Sequence, residues 1–243
     1  MKMLALAKRN TKEILRDPIN LFFGLGFPIV LLLLLYAIGK NAPVEVFKIK
    51  SLAPGITVFS LSFITLFSAT LISKDRSTAL FQRLYTTPLT AADFILAYAL
   101  PLIPLSLIQS TVCYAFAMML GLAPTLDILL AILAIIPISI FYIALGLLFG
   151  SILTDKQAGG ICGAMLTNLS AWLSGTWFEL DLLGSTLKKI AELLPFVHAT
   201  ELERAIINGV GASVPENLVW VLAYSLIALT LATLIFTKKT KKQ

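Results

Sequence analysis

Ionisable side chains are scarce in this chain, and their scarcity excludes more than any motif does. Charged residues make up 13% of the 243, and histidine occurs once, at His198. A metal centre gathers three or four His, Cys or carboxylate ligands, and a lone histidine with scattered acids offers no such set. The two cysteines, Cys113 and Cys162, sit in apolar stretches, where a thiol serves as a small apolar side chain. No Gly-x-x-x-x-Gly-Lys-Ser/Thr phosphate loop is present: Gly39-Lys40 is followed by Asn41 and lacks the upstream glycine. ATP hydrolysis by that route is excluded. So is the cluster of carboxylates, or of a nucleophile with its base, that an intramembrane enzyme needs.

What the chain has instead is apolar mass. Hydrophobic residues make up 58% and the mean hydropathy is +0.91. A bilayer core about 30 Å thick is crossed by roughly 20 helical residues, and blocks of that size recur here almost free of charge. In hydrocarbon every backbone N–H and C=O needs an internal partner, so the blocks are helices; the leucine runs lack the alternation of a barrel. The expectation is an all-α membrane protein with six transmembrane helices, over about 21–39, 53–73, 92–120, 127–152, 158–177 and 218–236. Pro101, Pro104 and Pro137 predict kinks. With the N-terminus in the cytoplasm, 13 of the 19 basic residues fall on the cytoplasmic side. Both termini are therefore expected there, and the net charge of +6 describes topology rather than a nucleic-acid partner. Asp93, Asp127 and Asp155 sit near span ends, which argues against a carrier or channel coupled to ions through a mid-membrane charge.

Three segments are not simple spans. Residues 1–18 predict an interfacial helix, with Met3, Leu4, Ala7, Thr11, Ile14 and Leu15 on one side. Lys8, Arg9, Lys12 and Arg16 lie on the other, as anchors toward anionic lipid, and Asp17-Pro18 ends the helix. The charges and the length of the apolar block after it do not fit a cleaved signal peptide. Residues 75–87 predict a second amphipathic helix: Leu80, Phe81, Leu84 and Tyr85 share a face, and Asp75, Arg76, Gln82 and Arg83 occupy the other. Pro88 stops it, and Thr90 with Asp93 reads as a capping box for the next helix. Residues 178–217, on the outer side, predict two short re-entrant helices separated by Pro195 and ended by Asn208-Gly209. His198, in the second of them, is expected to cap or pack. Small residues at Gly146-x-x-x-Gly150 and Gly159-x-x-x-Gly163 permit close helix contact, within one bundle or across a dimer.

The whole chain resembles a permease subunit of an ATP-binding-cassette exporter of the type-2 class. The most specific stretch is Asp75-Arg76-Ser77-Thr78 through Leu84-Tyr85-Thr86-Thr87-Pro88, similar to an acidic-Arg-Gly-Thr…Leu…Pro signature after the second span. Asp75 and Ser77 stand where Glu and Gly are usual, and Ala97-Tyr98 replaces a common Gly-Lys. Pro195, Arg204 and Gly209 are similar to a looser pattern before the last span. The resemblance implies a single transmembrane domain in the plasma membrane of a prokaryotic cell, working with two cytoplasmic ATPase subunits that carry the ATP and Mg. It also implies a second permease, an identical copy ahead of a paralogue, with the sequence itself leaving both open. Asp75, Arg76, Thr78, Leu80, Phe81, Arg83, Leu84, Tyr85 and Pro88 would belong to a coupling helix seated on the ATPase. Phe59, Phe63, Gly159, Gly163, Asn168 and Trp172 would face the pathway or the dimer. Such apolar, aromatic and neutral-polar linings suit an amphipathic cargo: a lipid, drug, peptide or lipid-linked glycan.

Overall fold

The computed structural model describes residues 2–41, 44–78 and 90–240, and among these every regular element is a helix. Helix α1 is Lys2–Leu15. Asp17 then caps α2, accepting from the Asn20 amide at 3.0 Å, with Pro18 at the first helical position where its missing N–H leaves no orphan. Helix α2 (Pro18–Asn41) contains a π-turn at Phe22–Gly26. Helix α3 is Ile49–Arg76, α4 is Ala91–Ala99, and α5 is Leu102–Met119. The break between α4 and α5 falls at Pro101, and Thr90 and Asp93 form the expected capping box at the start of α4. Helix α6 is Leu126–Ile152 and α7 covers 155–173, with a π-turn at Ile161–Leu166. Two short helices, α8 (Gly184–Glu192) and α9 (Pro195–Ile207), precede α10 (Val214–Thr240).

Five of these stretches are long and apolar enough to cross a membrane: Pro18–Asn41, Ile49–Arg76, Ala92–Met119, Leu126–Ile152 and Gly211–Lys238. The sixth segment of the expectation, 158–177, stands apart. That segment is helical over 155–173, but it is not among the five; Gln157, Thr167, Asn168 and Ser170 dilute its apolar character. It still joins the two ends of the bundle. Asp155 lies near Arg16 at the end carrying α1, and at the opposite end Thr176 Oγ1 donates to the Gly55 carbonyl at 3.3 Å.

Helix α3 is the axis of the fold. Of its apolar window 89% is inside the protein, against 17% for α2 and 22% for α10, whose outer faces are free for lipid. Its approach to α6 is set by glycine. A β-carbon on Gly146 would stand 2.5 Å from the Thr65 carbonyl oxygen, and one on Gly150 would stand 2.6 Å from that of Ala69. With the backbones this close, the Thr65 hydroxyl donates to the Tyr142 carbonyl at 2.8 Å and the Ser68 hydroxyl to that of Ile143 at 3.3 Å. Interhelical bonds of this kind contribute about 0.6 kcal/mol each in a membrane. The first small-residue motif thus serves packing within the chain. In the second, Gly163 faces Leu66 while Gly159 meets nothing within 4 Å.

Helix α9 is the outer helix that turns back into the bundle. Phe196, Ala199, Leu202 and Ala205 are buried, against α3, α6 and α10. Pro195 occupies its first turn, and Gly209 ends it at φ +69°, with the Val210 amide donating to the Ala205 carbonyl at 2.8 Å. This is the left-handed glycine closure that satisfies the last helical carbonyls. Helix α8 stays at the surface, and His198 packs as expected: its ring stacks on Trp220 and bonds to Asn217 at 2.8 Å.

Gly146→Val should force α3 and α6 apart and destabilise the protein by about 1–3 kcal/mol. Gly159→Val should leave the isolated protomer's stability nearly unchanged. Thermal unfolding of the two purified variants in detergent checks the contrast.

Candidate functional site

At the end of the bundle that carries α1, four helices meet at two consecutive residues. Asp75, in the last turn of α3, is 2% exposed. Its Oδ2 accepts from Arg9 Nη1 of α1 and, at 2.7 Å, from the Tyr98 hydroxyl of α4. Around this ion pair the Asn10 amide, itself buried, donates to the Ala97 carbonyl at 3.1 Å, and Lys74 pairs with Glu13 at 3.2 Å. Desolvation works against the Arg9 cation, but its hydrogen bond and attraction to Asp75 outweigh that and raise its pKa. Next in sequence, Arg76 turns the other way. Its Nη1 donates to the Gly150 carbonyl at 2.7 Å and the Leu153 carbonyl at 3.3 Å, placing a cation on the C-terminal end of α6 where helix carbonyls lack partners. Thr78 donates from its hydroxyl to the Asp75 carbonyl at 2.7 Å. The result is a polar joint binding α1, α3, α4 and α6 immediately before residue 79.

Several predicted roles change here. The buried side of α1 is Leu6, Ala7, Asn10 and Ile14, while Leu4 and Leu15 are exposed. The helix is rotated from the face the wheel assigned because Asn10 and Arg9 have partners in the protein that a lipid surface would not supply. Of the four anchors, Lys8, Lys12 and Arg16 are exposed, but Arg9 is drawn inward to Asp75. Arg76, expected in the coupling helix, is engaged with α6. Leu80, Phe81, Arg83, Leu84, Tyr85 and Pro88 lie outside the described residues.

Residues predicted for the pathway or dimer separate into two groups. Phe59 and Phe63 are buried in an aromatic stack with Phe23, Phe27 and Trp177. Asn168 and Trp172 are exposed on α7, on the same stretch as the open Gly159, and the Asn168 amide donates to its own helix at Ala164, 2.8 Å away.

Sequence reading missed a second polar site. Glu203 of α9 is fully buried and accepts from the Tyr114 hydroxyl of α5 at 2.5 Å. Its other oxygen has no partner among the described residues, nor do the buried Gln109 amide and the Thr57 and Thr200 hydroxyls. Tyr114 lies five residues before the end of α5, so the acid sits roughly 8 Å inside that end of the bundle. The expectation of span centres without ionisable residues overlooked an acid carried in by the returning helix. Burial pushes the Glu203 carboxyl up to about 8, against the Tyr114 hydrogen bond, which lowers it. Alongside, Arg204 braces the same end, bonding the Gly175 carbonyl at 2.8 Å and the Ser51 carbonyl at 3.3 Å.

A bundle of apolar helices tied end to end by polar joints defines a multi-pass membrane protein. The ABC-2 type transporter family matches residues 1–208, and the chain belongs to that family: it is a permease, the membrane component of an ABC transporter. No curated protein matches the chain.

Removing either partner of the Arg9–Asp75 pair leaves a charge short of its counterion. Arg9→Gln and Asp75→Asn should each destabilise the protein, and the double variant should lose less than their sum, with a coupling free energy of about 0.5–3 kcal/mol by a double-mutant cycle. For Glu203 the folded-state pKa lies above the unfolded one, so the native state holds the extra proton between about 4.5 and 8. Stability should therefore fall as pH rises through that window and level off above it. Glu203→Gln should flatten the slope in a series of thermal melts.

Proposed function

We propose that the chain is the permease of an ATP-driven exporter, and that residues 75–88 are the coupling element through which cytoplasmic ATPase subunits move it. The single observation that carries this reading is the joint at Asp75 and Arg76. It forms the first two residues of the stretch that resembles the family's coupling helix, and it binds α1, α3, α4 and α6 into one unit. A force delivered at that stretch would act on all four helices together, since a buried ion pair and charge-assisted hydrogen bonds resist local fraying. The ATPases would supply the ATP and Mg, because this chain has no phosphate loop. Two identical permeases would face each other along α7, whose exposed side combines Gly159, Asn168 and Trp172. The protein would lie in the plasma membrane of a prokaryotic cell, with both termini on the cytoplasmic side. The cargo would be amphipathic: a lipid, drug, peptide or lipid-linked glycan.

An ion-coupled carrier is the second reading, and Glu203 is the observation that favours it, since an acid buried at membrane depth is costly and marks a functional site by default. Its hydrogen bond to Tyr114 and its place near one end of the bundle fit a structural joint between α5 and α9 better than a carrier site.

The coupling assignment is tested with the partner ATPase present. Leu84→Asp should reduce co-purification of the ATPase at least tenfold. Asp75→Asn should retain the ATPase and its hydrolysis while vesicle transport falls by a similar factor. Normal assembly and transport in both variants would refute the coupling role. Uphill transport by the permease alone, abolished by an ionophore, would establish the ion-coupled reading instead.

A further inference from the structure

The joint leaves a cavity beside it, and the charges of that cavity do not all cancel. It has a volume of about 490 Å³ and lies between the end of α1, the start of α2, the last turns of α3 and the start of α7. The acids on its wall are Glu13, Asp17 and Asp155, and the bases are Arg16 and Lys74. Glu13 is taken by Lys74 at 3.2 Å. Asp17 spends both oxygens on Asn20, at 3.0 and 2.8 Å. What remains is one cation and one anion, the side chains of Arg16 and Asp155, neither with a side-chain partner among the described residues. We propose that this cavity is a binding site for the headgroup of an aminophospholipid of the phosphatidylethanolamine type, with its phosphodiester on Arg16 and its primary ammonium on Asp155.

Position, charge and chemistry converge on that ligand. The cavity lies where spans begin and end, under an amphipathic helix with exposed Leu15 at its edge, which is the headgroup level of a bilayer. Leu71 and Ile14 give the wall an apolar side toward which a glycerol and acyl chains can lead. Among the described lining residues, three acids against two bases disfavour a purely anionic headgroup. A quaternary choline group is recognised by aromatic faces, and among the described residues no aromatic lines this cavity. A primary ammonium, by contrast, donates three hydrogen bonds, and a carboxylate without a partner accepts them. Guanidinium and phosphate form the strongest of the pairings available here. This inference concerns a lipid bound to the permease itself and stands whether or not the ATPase and cargo assignments above are right.

The test uses the purified full chain in nanodiscs of equal parts phosphatidylethanolamine, phosphatidylcholine and phosphatidylglycerol, with lipid retained through delipidation read by native mass spectrometry. Phosphatidylethanolamine should be retained about tenfold over either competitor. Arg16→Gln should lower that retention about tenfold and Arg16→Lys should restore part of it, while Asp155→Asn should erase the preference for ethanolamine over choline. Lys40→Gln, at the opposite end of the bundle, should change nothing, and a monodisperse gel-filtration profile confirms that each variant is folded. Equal retention of the three lipids, preference for phosphatidylglycerol, or indifference to both Arg16→Gln and Asp155→Asn would overturn the proposal. Displacement of the lipid by soluble glycerophosphoethanolamine at matching concentration would overturn it too, by showing that the ligand is the free headgroup compound.

Discussion

A carboxylate buried at the tip of the most enclosed helix must be answered by a cation, and the arrangement of one end of this protein follows from that requirement. Asp75 cannot remain charged and unpaired out of water, because desolvation of a lone ion costs several kcal/mol. Arg9 supplies the counter-charge only if α1 lies across the end of α3, and Tyr98 completes the site only if α4 stands beside it. Arg76, the next residue, projects to the other side of the same helix turn and reaches the carbonyls that α6 leaves unsatisfied. Two adjacent residues of opposite sign therefore hold three neighbours to α3. The joint is electrostatic where it is buried and helix-capping where it is half exposed.

The remainder of the bundle is held differently. Along α3 and α6 the contact depends on the absence of side chains at Gly146 and Gly150, with hydroxyls of Thr65 and Ser68 bonding across the gap. Lipid offers no hydrophobic drive for one apolar helix to choose another, so close packing and such hydrogen bonds carry the association. At the far end Arg204 and the Glu203–Tyr114 pair repeat the logic of the Asp75 joint with other residues. Polar ties at both ends and small-residue packing between them describe a unit that can tilt as a body. That mechanical property is the one a permease driven from outside its own chain requires.

Legibility in the sequence divided along physical lines. Spans, the capping box at Thr90 and Asp93, and the glycine closure at Gly209 were readable because hydropathy and local backbone chemistry depend on near neighbours alone. The face of α1 was not, because a wheel ranks residues by polarity and cannot know that Asn10 has the Ala97 carbonyl waiting 87 positions away. The partners of Arg76 and Arg9 were hidden for the same reason, since each lies far away in sequence. Glu203 escaped because a re-entrant helix could be read from its apolar pattern, but not that this residue would meet Tyr114, 89 positions away, in the interior.

By itself the sequence determined that this is a helical membrane protein without a nucleotide-hydrolysing loop, since apolar run length and the presence of a motif are properties of the chain as written. Only the tertiary structure decided which charges are joints, which glycines are contacts and which are open, and that among the described residues Arg16 and Asp155 face one cavity without a side-chain partner. Pairing is a property of space: an ion's role depends on what lies within a few ångströms of it, and separation along the chain does not report that distance.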